Sequence, residues 1–486
     1  MLQCRYQGGN EMKKLYSLGL SLLLGFGLTA CAGNPQTQSP ASSQQPEAET
    51  KEETTTTVVV GAGGAGMMTA IELQNNGQEV ILLEKQAMPG GATLLAATYF
   101  VAVNTEMQKE AGMGLSIEDY VAKQVASNPD FNADQLQRLL ENSQDSIDWL
   151  NERGANLTRP MSNYQIGIED GSSLGVMLVK ILNAECEKAG VDLRTETQVT
   201  EILMDQDKAV GVKAKGPEGE MIIHADHVVL ATGGYAANQD LVKEYASQWA
   251  GTPFTTAVGS TGDGHQLAKA AGANLTNMDV VRMNPAVYTD ENGSSYSLSV
   301  ARAEGGILVN LKGERFCNDY YPDYTQLSRW MIEQEGDYTY IVFDQKSVDT
   351  SSRLADFKDR GFFLEGQTLE ELADQMGVPA ENLTATVEKY RGYFDQGKDE
   401  EFGRTNNMNT RIDQAPYYAV KVKPGIQVTL GGIQVNDALQ VMNTEGQPIE
   451  GLYALGECAD DGLFGGAPTN IDITFGRLLA QHLINQ

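Results

Sequence analysis

The order of apolar and polar positions divides the chain into an unusual N-terminal stretch and a long body of strand and helix signals. Lys13 and Lys14 precede a largely apolar run from Leu15 to Leu28, shorter than the roughly 20 residues of a membrane span. Residues 32–57 are rich in Ser, Thr, Gln, Pro and Glu with no apolar period, the pattern of a disordered tether. From Thr54 to Val60 the chain becomes β-branched and apolar, which predicts a buried strand. Met67 to Gln74 reads as a helix and Glu79 to Leu83 as a second strand ending at Glu84. Further on, Asp226 to Ala231 reads as a strand and Gly264 opens a helix. Gln367 to Met376 reads as a helix capped by Thr368 with two acids in its first turn. Phe475-Gly476-Arg477 lies in a final helix.

Length and composition narrow the class. The 486 residues suit two or three domains, and the 51 glycines suit the close backbone approaches of nucleotide sites. A net charge of −30 argues against a nucleic-acid partner. None of the five cysteines (Cys4, Cys31, Cys186, Cys317, Cys458) belongs to CxxC or CxxCH, and none of the four histidines to HExxH. No Fe–S cluster, c-type haem or metal site is therefore expected on this chain. Cys186, Cys317 and Cys458 read as small buried hydrophobes.

The N-terminus reads as an address. A basic start, a short apolar stretch and small residues after it describe a secretory signal over residues 1–30. Its end, Leu28-Thr29-Ala30-Cys31, resembles the lipobox of bacterial lipoproteins. The resemblance implies cleavage before Cys31, a diacylglycerol on its sulfur and a tether over 31–57, placing the protein at the outer face of a cell membrane. Met12 is the expected start, with residues 1–11 as untranslated leader.

Gly61-Ala62-Gly63-Gly64-Ala65-Gly66 follows the first strand and matches G-x-G-x-x-G. Gly61 permits the tight turn, Gly63 the approach of a pyrophosphate, and Gly66 the packing of helix on strand. Glu84 ends the second strand, where an acid accepts hydrogen bonds from the adenosine ribose. Strand, glycines, helix, strand and acid arrive in order, which marks a dinucleotide site.

Later segments choose the dinucleotide. They are Pro89-Gly90-Gly91-Ala92-Thr93, Thr232-Gly233-Gly234, Gly259-Ser260-Thr261-Gly262-Asp263-Gly264 and Gly451-Leu452-Tyr453-Ala454-Leu455-Gly456-Glu457, then Gly465-Gly466. Together they resemble the flavoprotein family of soluble fumarate reductases, flavocytochrome c, urocanate reductase and 3-ketosteroid dehydrogenases, over residues 55–486. The resemblance implies an α/β fold: a Rossmann-type FAD-binding domain (58–278 and 429–486) with an inserted α+β cap domain (279–428). It implies FAD with its adenosine at Glu84 and its pyrophosphate at Gly61 to Gly66. Gly91, Ala92, Thr93, Gly233, Asp263 and Glu457 would approach the ribityl and flavin, and the helix start at Thr469, Asn470 and Ile471 its pyrimidine end. No histidine occurs in residues 85–110, so the FAD is expected to be non-covalent. In the cap, Gly305-Gly306-Ile307-Leu308-Val309-Asn310 and Gly313-Glu314-Arg315-Phe316 match the family's strand and turn.

The implied reaction passes a hydride from flavin N5 to the β-carbon of an activated alkene, while an acid of the cap protonates the α-carbon. The chain departs from the fumarate reducers in the cap. Asn284-Pro285 stands where they carry His-Pro, Leu298-Ser299 where they carry Thr-Glu, Asp323 nearest their acidic Arg, Val428 for their second His, and Leu463 near their carboxylate-binding Arg. Without those cations two carboxylates would be desolvated at high cost, so fumarate is not the expected substrate. An enoate or enone is. Arg302, Tyr321 and Tyr324 are the catalytic candidates, though the tyrosines also fit a packing role. An enzyme outside the cell cannot use cytosolic NADH, so the donor would be a quinol, a cytochrome or a flavinylated carrier. Two alternatives stay open: a dehydrogenase of ketosteroid-desaturase type, and a flavin relay or binding protein without catalysis.

Overall fold

A computed structural model describes residues 51–96, 99–464 and 467–486. Cys31, the signal and tether up to residue 50, and Gly465-Gly466 lie outside the described residues. No helix among the described residues is long and apolar enough to cross a membrane.

Lys51–Val60 forms the first strand, so residues 51–57, expected as tether, pair instead along Gly219–Leu230, and the strand's apolar end is buried within an eight-stranded sheet. It pairs in parallel with Val80–Leu83 on one side (Val58 opposite Ile81) and with Gly219–Leu230 on the other (Val58 opposite Val228). Asp192–Arg194 and Pro448–Ala454 extend the parallel core outward. Every residue of Val80–Leu83 is buried, as a strand covered on both faces requires. The connection from first to second strand is the helix Gly64–Asn75, a βαβ unit whose phosphate end faces the carboxyl ends of the strands. Gly476 lets the final helix, Gly476–Ile484, approach it: a Cβ there would stand 2.9 Å from Met68 Cβ.

The second sheet belongs to the cap. Five strands run antiparallel in the order Ser295–Ser297, Val281–Thr289, Tyr417–Thr429, Thr339–Asp344, Ile307–Val309, with Leu364–Gly366 also on Tyr417–Thr429. Separate apolar clusters fill its two faces, one around Phe343, Tyr418 and Leu327 and the other around Val342, Leu372 and Tyr390. The helix Leu369–Met376 covers the second; the Thr368 side chain caps it by accepting from Glu371 N.

The cap joins the first domain through two segments that cross. Leu430 N donates to the Val280 carbonyl (2.9 Å). A Cβ on Gly431 would stand only 1.9 Å from the Asn277 carbonyl oxygen. The long strand Tyr417–Thr429 thus runs from the cap sheet directly to the carboxyl ends of the parallel strands.

Candidate active site

The glycine turn is built by contact distances. Gly61 adopts φ +103° and a Cβ on it would lie 2.4 Å from the Ala231 carbonyl oxygen. A Cβ on Gly66 would lie 1.9 Å from the Gly61 oxygen, so this glycine sets how closely helix meets turn. At Gly63, by contrast, a Cβ would meet nothing nearer than Thr93 Oγ1 at 3.9 Å. It would point into the open cleft, where a pyrophosphate needs the room. Thr93 bridges the turn to the C-terminal segment: its hydroxyl accepts from Gly64 N and donates to Asp472, both at 2.9 Å. The buried Glu84 carboxylate accepts from Ala62 N (2.9 Å) and Gln86 N (2.8 Å), leaving lone pairs for a ribose.

From Glu84 an elongated cleft runs past Gly63, Thr93 and Gly233 to the end of the long cap strand at Val428 and to Leu430 beyond it. Two hydroxyls lining it, Thr232 Oγ1 and Thr255 Oγ1, are buried with no hydrogen-bond partner, as expected where a polar ligand supplies one. The elongated shape, the phosphate turn at one end and these orphaned donors fit FAD. Gly91, Ala92, Glu457, Thr469 and Ile471 also line the cleft.

Three carboxyls face this cleft with their affinity for protons raised. Burial pushes Glu457 up to about 7 against the opposing hydrogen bonds from Thr429 N and Oγ1. Burial likewise lifts Asp472 and Asp461 to about 7, opposed by Thr93 and by Leu463 N respectively.

The cap side holds a residue that the sequence did not single out. Arg282 lines the cleft on the strand Val281–Thr289, directly across from Val428. An extra residue, Gln427, bulges from the partner strand between the pairs Val428–Arg282 and Ile426–Met283. The bulge breaks the alternation of faces, so Gln427, Val428 and Thr429 all line the cleft. Tyr99 closes the opposite wall. Neither Asn284 nor Val428 carries a charge, and Arg282 is the cation that lines the cleft at this end. Asn284 itself is buried and engaged: it donates to Ser297 Oγ (2.8 Å) and accepts from Ala286 N and Ser299 Oγ.

Several predicted site residues lie elsewhere. Asn470 turns its side chain away from the cleft into the core, donating to the Val101 carbonyl (2.8 Å) and Ser143 Oγ (2.7 Å); only its neighbours Thr469 and Ile471 reach the cavity. Asp263 lines the cleft but at the adenosine end, where it accepts from Lys85 (3.0 Å), the residue after Glu84. Arg302, Tyr321 and Tyr324 do not line the cleft. Arg302 is fully buried in the cap, donating to the Asp319 carbonyl (2.8 Å) with its guanidinium 5.0 Å from the Tyr324 ring. Tyr321 packs on Trp330 at 4.8 Å between ring centres. The physical reason is Asp319: its carboxylate is drawn into a buried ion cluster, and Pro322 and Asp323 after it are exposed at the surface. Asp460, expected in a loop, ends the short strand Ala459–Asp460, pairs with Gln434 and accepts from Thr276 Oγ1 and Asn277 Nδ2.

Comparison with known proteins agrees with this geometry. A family model described as FAD binding domain matches residues 56–469. The chain is 34% identical over 406 residues to an NADH:fumarate oxidoreductase of Klebsiella pneumoniae (strain 342), covering 82% of this chain and 43% of that protein's length. It is 32% identical over 432 residues to a fumarate reductase (cytochrome) of Shewanella frigidimarina, covering 85% and 74%. Other relatives are named for acrylate (Vibrio harveyi, 30%) and urocanate (Eggerthella lenta, 28%). The open conformation of a flavocytochrome c3 fumarate reductase superposes with a TM-score of 0.80 at 29% identity, covering 89% of this chain and 78% of that one. With glycine turn, acid, cleft and relatives in agreement, the chain belongs to the FAD-binding fumarate reductase family, and it is an FAD-dependent oxidoreductase.

Proposed function

We propose that the protein reduces an activated C=C bond, an enoate or enone other than fumarate. The carrying observation is the cleft itself: dinucleotide-binding glycines at one end, and at the other a cap wall with the single cation Arg282 beside Val428. Relatives named for fumarate, acrylate and urocanate support the alkene. When bound, FAD supplies the hydride that the alkene accepts. Gly61 to Gly66, Thr93 and Glu84 would hold it. Val428 of the cap, with Leu430 and Tyr99, would flank the alkene. Asp461 keeps a proton near neutrality at the cap end of the cleft and delivers it to the α-carbon; solvent then restores it.

The location and electron source belong to the same proposal. A lipid on Cys31 holds the enzyme at the outer face of the membrane, and a separate quinol, cytochrome or flavinylated carrier supplies electrons. Globomycin-sensitive processing and metabolic labelling with palmitate test the anchor; a Cys31→Ser variant still recovered in membranes overturns it.

The test of the reaction is anaerobic. The flavin is reduced, and enoates and enones are added in turn. Reoxidation by at least one supports the reading. Reoxidation by none, together with bleaching of the oxidised enzyme by a saturated ketone, replaces it with a dehydrogenase.

A further inference from the structure

Two cationic side chains line the cleft, and they differ in their company. Lys85 is paired with Asp263 at 3.0 Å. Arg282 forms no ion pair with any described residue. Its one hydrogen bond among the described residues, Nη2 to the Phe464 carbonyl, is 3.5 Å long, at the limit of a hydrogen bond. A half-buried guanidinium with no counter-charge among the described residues is costly, and burial lowers its pKa, opposed by the nearby Tyr99. The usual explanation of such a group is an anionic ligand, which Arg binds through two parallel N–H donors. The pyrophosphate lies at the opposite, glycine-turn end, so the anion must come from the substrate side.

We infer that Arg282 is the anchor for one, and only one, anionic group of the substrate, which makes the preferred substrate a mono-anionic alkene. The inference rests on the C=C reading above and names its substrate class. A second carboxylate would face Val428, Tyr99 and Asp461, none of them a cation. A neutral alkene would leave the guanidinium unpaired. Selectivity therefore follows charge count and not the carbon skeleton alone.

One carbon skeleton carries all three charge states: fumarate, monomethyl fumarate and dimethyl fumarate. Binding to the oxidised holoenzyme is read from the perturbation of the flavin absorbance, which needs no turnover. The monoester should bind about 30-fold or more tightly than the diester, the size of a truncated charge-pair effect, and more tightly than fumarate. In Arg282→Gln that preference should collapse while the flavin midpoint potential stays where it was. Equal binding of monoester and diester by the wild type overturns the inference, as does an unchanged preference in Arg282→Gln. A shifted potential with the preference intact also overturns it, by assigning Arg282 to the flavin. If the charge preference appears but no alkene reoxidises reduced enzyme, the anchor stands and the C=C reading fails.

Discussion

Among single residues, Asp461 carries the proposed proton transfer. Asp472 is tied to the phosphate turn through Thr93, and Glu457 to the cap-strand end through Thr429. Among the described residues Asp461 accepts from Leu463 N (2.9 Å), in the loop whose Phe464 carbonyl meets Arg282. Burial and the adjacent Asp460 charge raise its pKa to about 7. An acid in that state protonates carbon below its pKa and fails above it, so turnover should fall as pH rises through about 7. Asp461→Asn keeps the shape and removes the proton. It should lower turnover by about 10²-fold or more, leave substrate binding in place and abolish that pH dependence. Tyr321→Phe should change neither. Loss of turnover in Tyr324→Phe with Asp461→Asn still active moves the donor to the Arg302–Tyr324 pair. The glycines and Glu84 were legible in the sequence because their roles are local, fixed by backbone geometry over a few residues. Arg282 was not, because what makes it a site residue is the Gln427 bulge in a strand more than a hundred residues away, which no local pattern encodes.

Among the elements, the cap strand Ile307–Val309 and the turn after it depend on a buried ion cluster. Arg315 donates to Asp319 (2.5 Å) and to Asp399 (2.8 Å), and Arg404 to Asp319 (3.2 Å), while Asp319 also accepts from Leu308 N (2.7 Å). Arg404 further donates to the carbonyls of Gly306 and Arg302. Two buried carboxylates thus serve Arg315 and Arg404 with Arg302 beside them, and removing one carboxylate leaves cations uncompensated. Asp319→Ala should cost about 3–5 kcal/mol, measured by chemical denaturation, with a loss near zero showing that water replaces the carboxylate. Burial alone would raise the Asp399 pKa, but the bond to Arg315, its charge and the N–H donors of Phe402 and Glu401 together outweigh this and hold it below the usual range. The cluster also shows how far element patterns reach. The Thr368-capped helix was readable from its capping and the first strand from its β-branched run, while the Arg315-Phe316 turn came from the family resemblance. The helix after the glycine turn starts at Gly64, earlier than the apolar pattern from Met67, because the three residues before Met67 carry no helical signal of their own. Tyr321 and Tyr324 were misplaced for a related reason. Their direction depends on Asp319 being pulled inward by partners at 399 and 404, which lie far along the chain.

For the molecule as a whole, the same cleft sets how stability responds to pH. Glu457, Asp461 and Asp472 hold protons up to about 7 in the folded protein, whereas in the unfolded chain such groups release them near 4. Between those values the native state binds more protons than the unfolded state, so stability falls as pH rises and levels off above about 7. The net charge of −30 acts in the same direction through self-repulsion. The two causes separate by mutation, since Glu457→Gln, Asp461→Asn and Asp472→Asn together remove the titrations yet change the net charge by only a tenth. The FAD-free protein should therefore melt at a lower temperature at pH 8 than at pH 5.5, and the triple variant should lose most of that difference. A triple variant as pH-sensitive as the wild type would assign the effect to overall charge. A melting temperature that rises with pH would remove the raised proton affinity of the cleft, and with it the case for Asp461 as the acid.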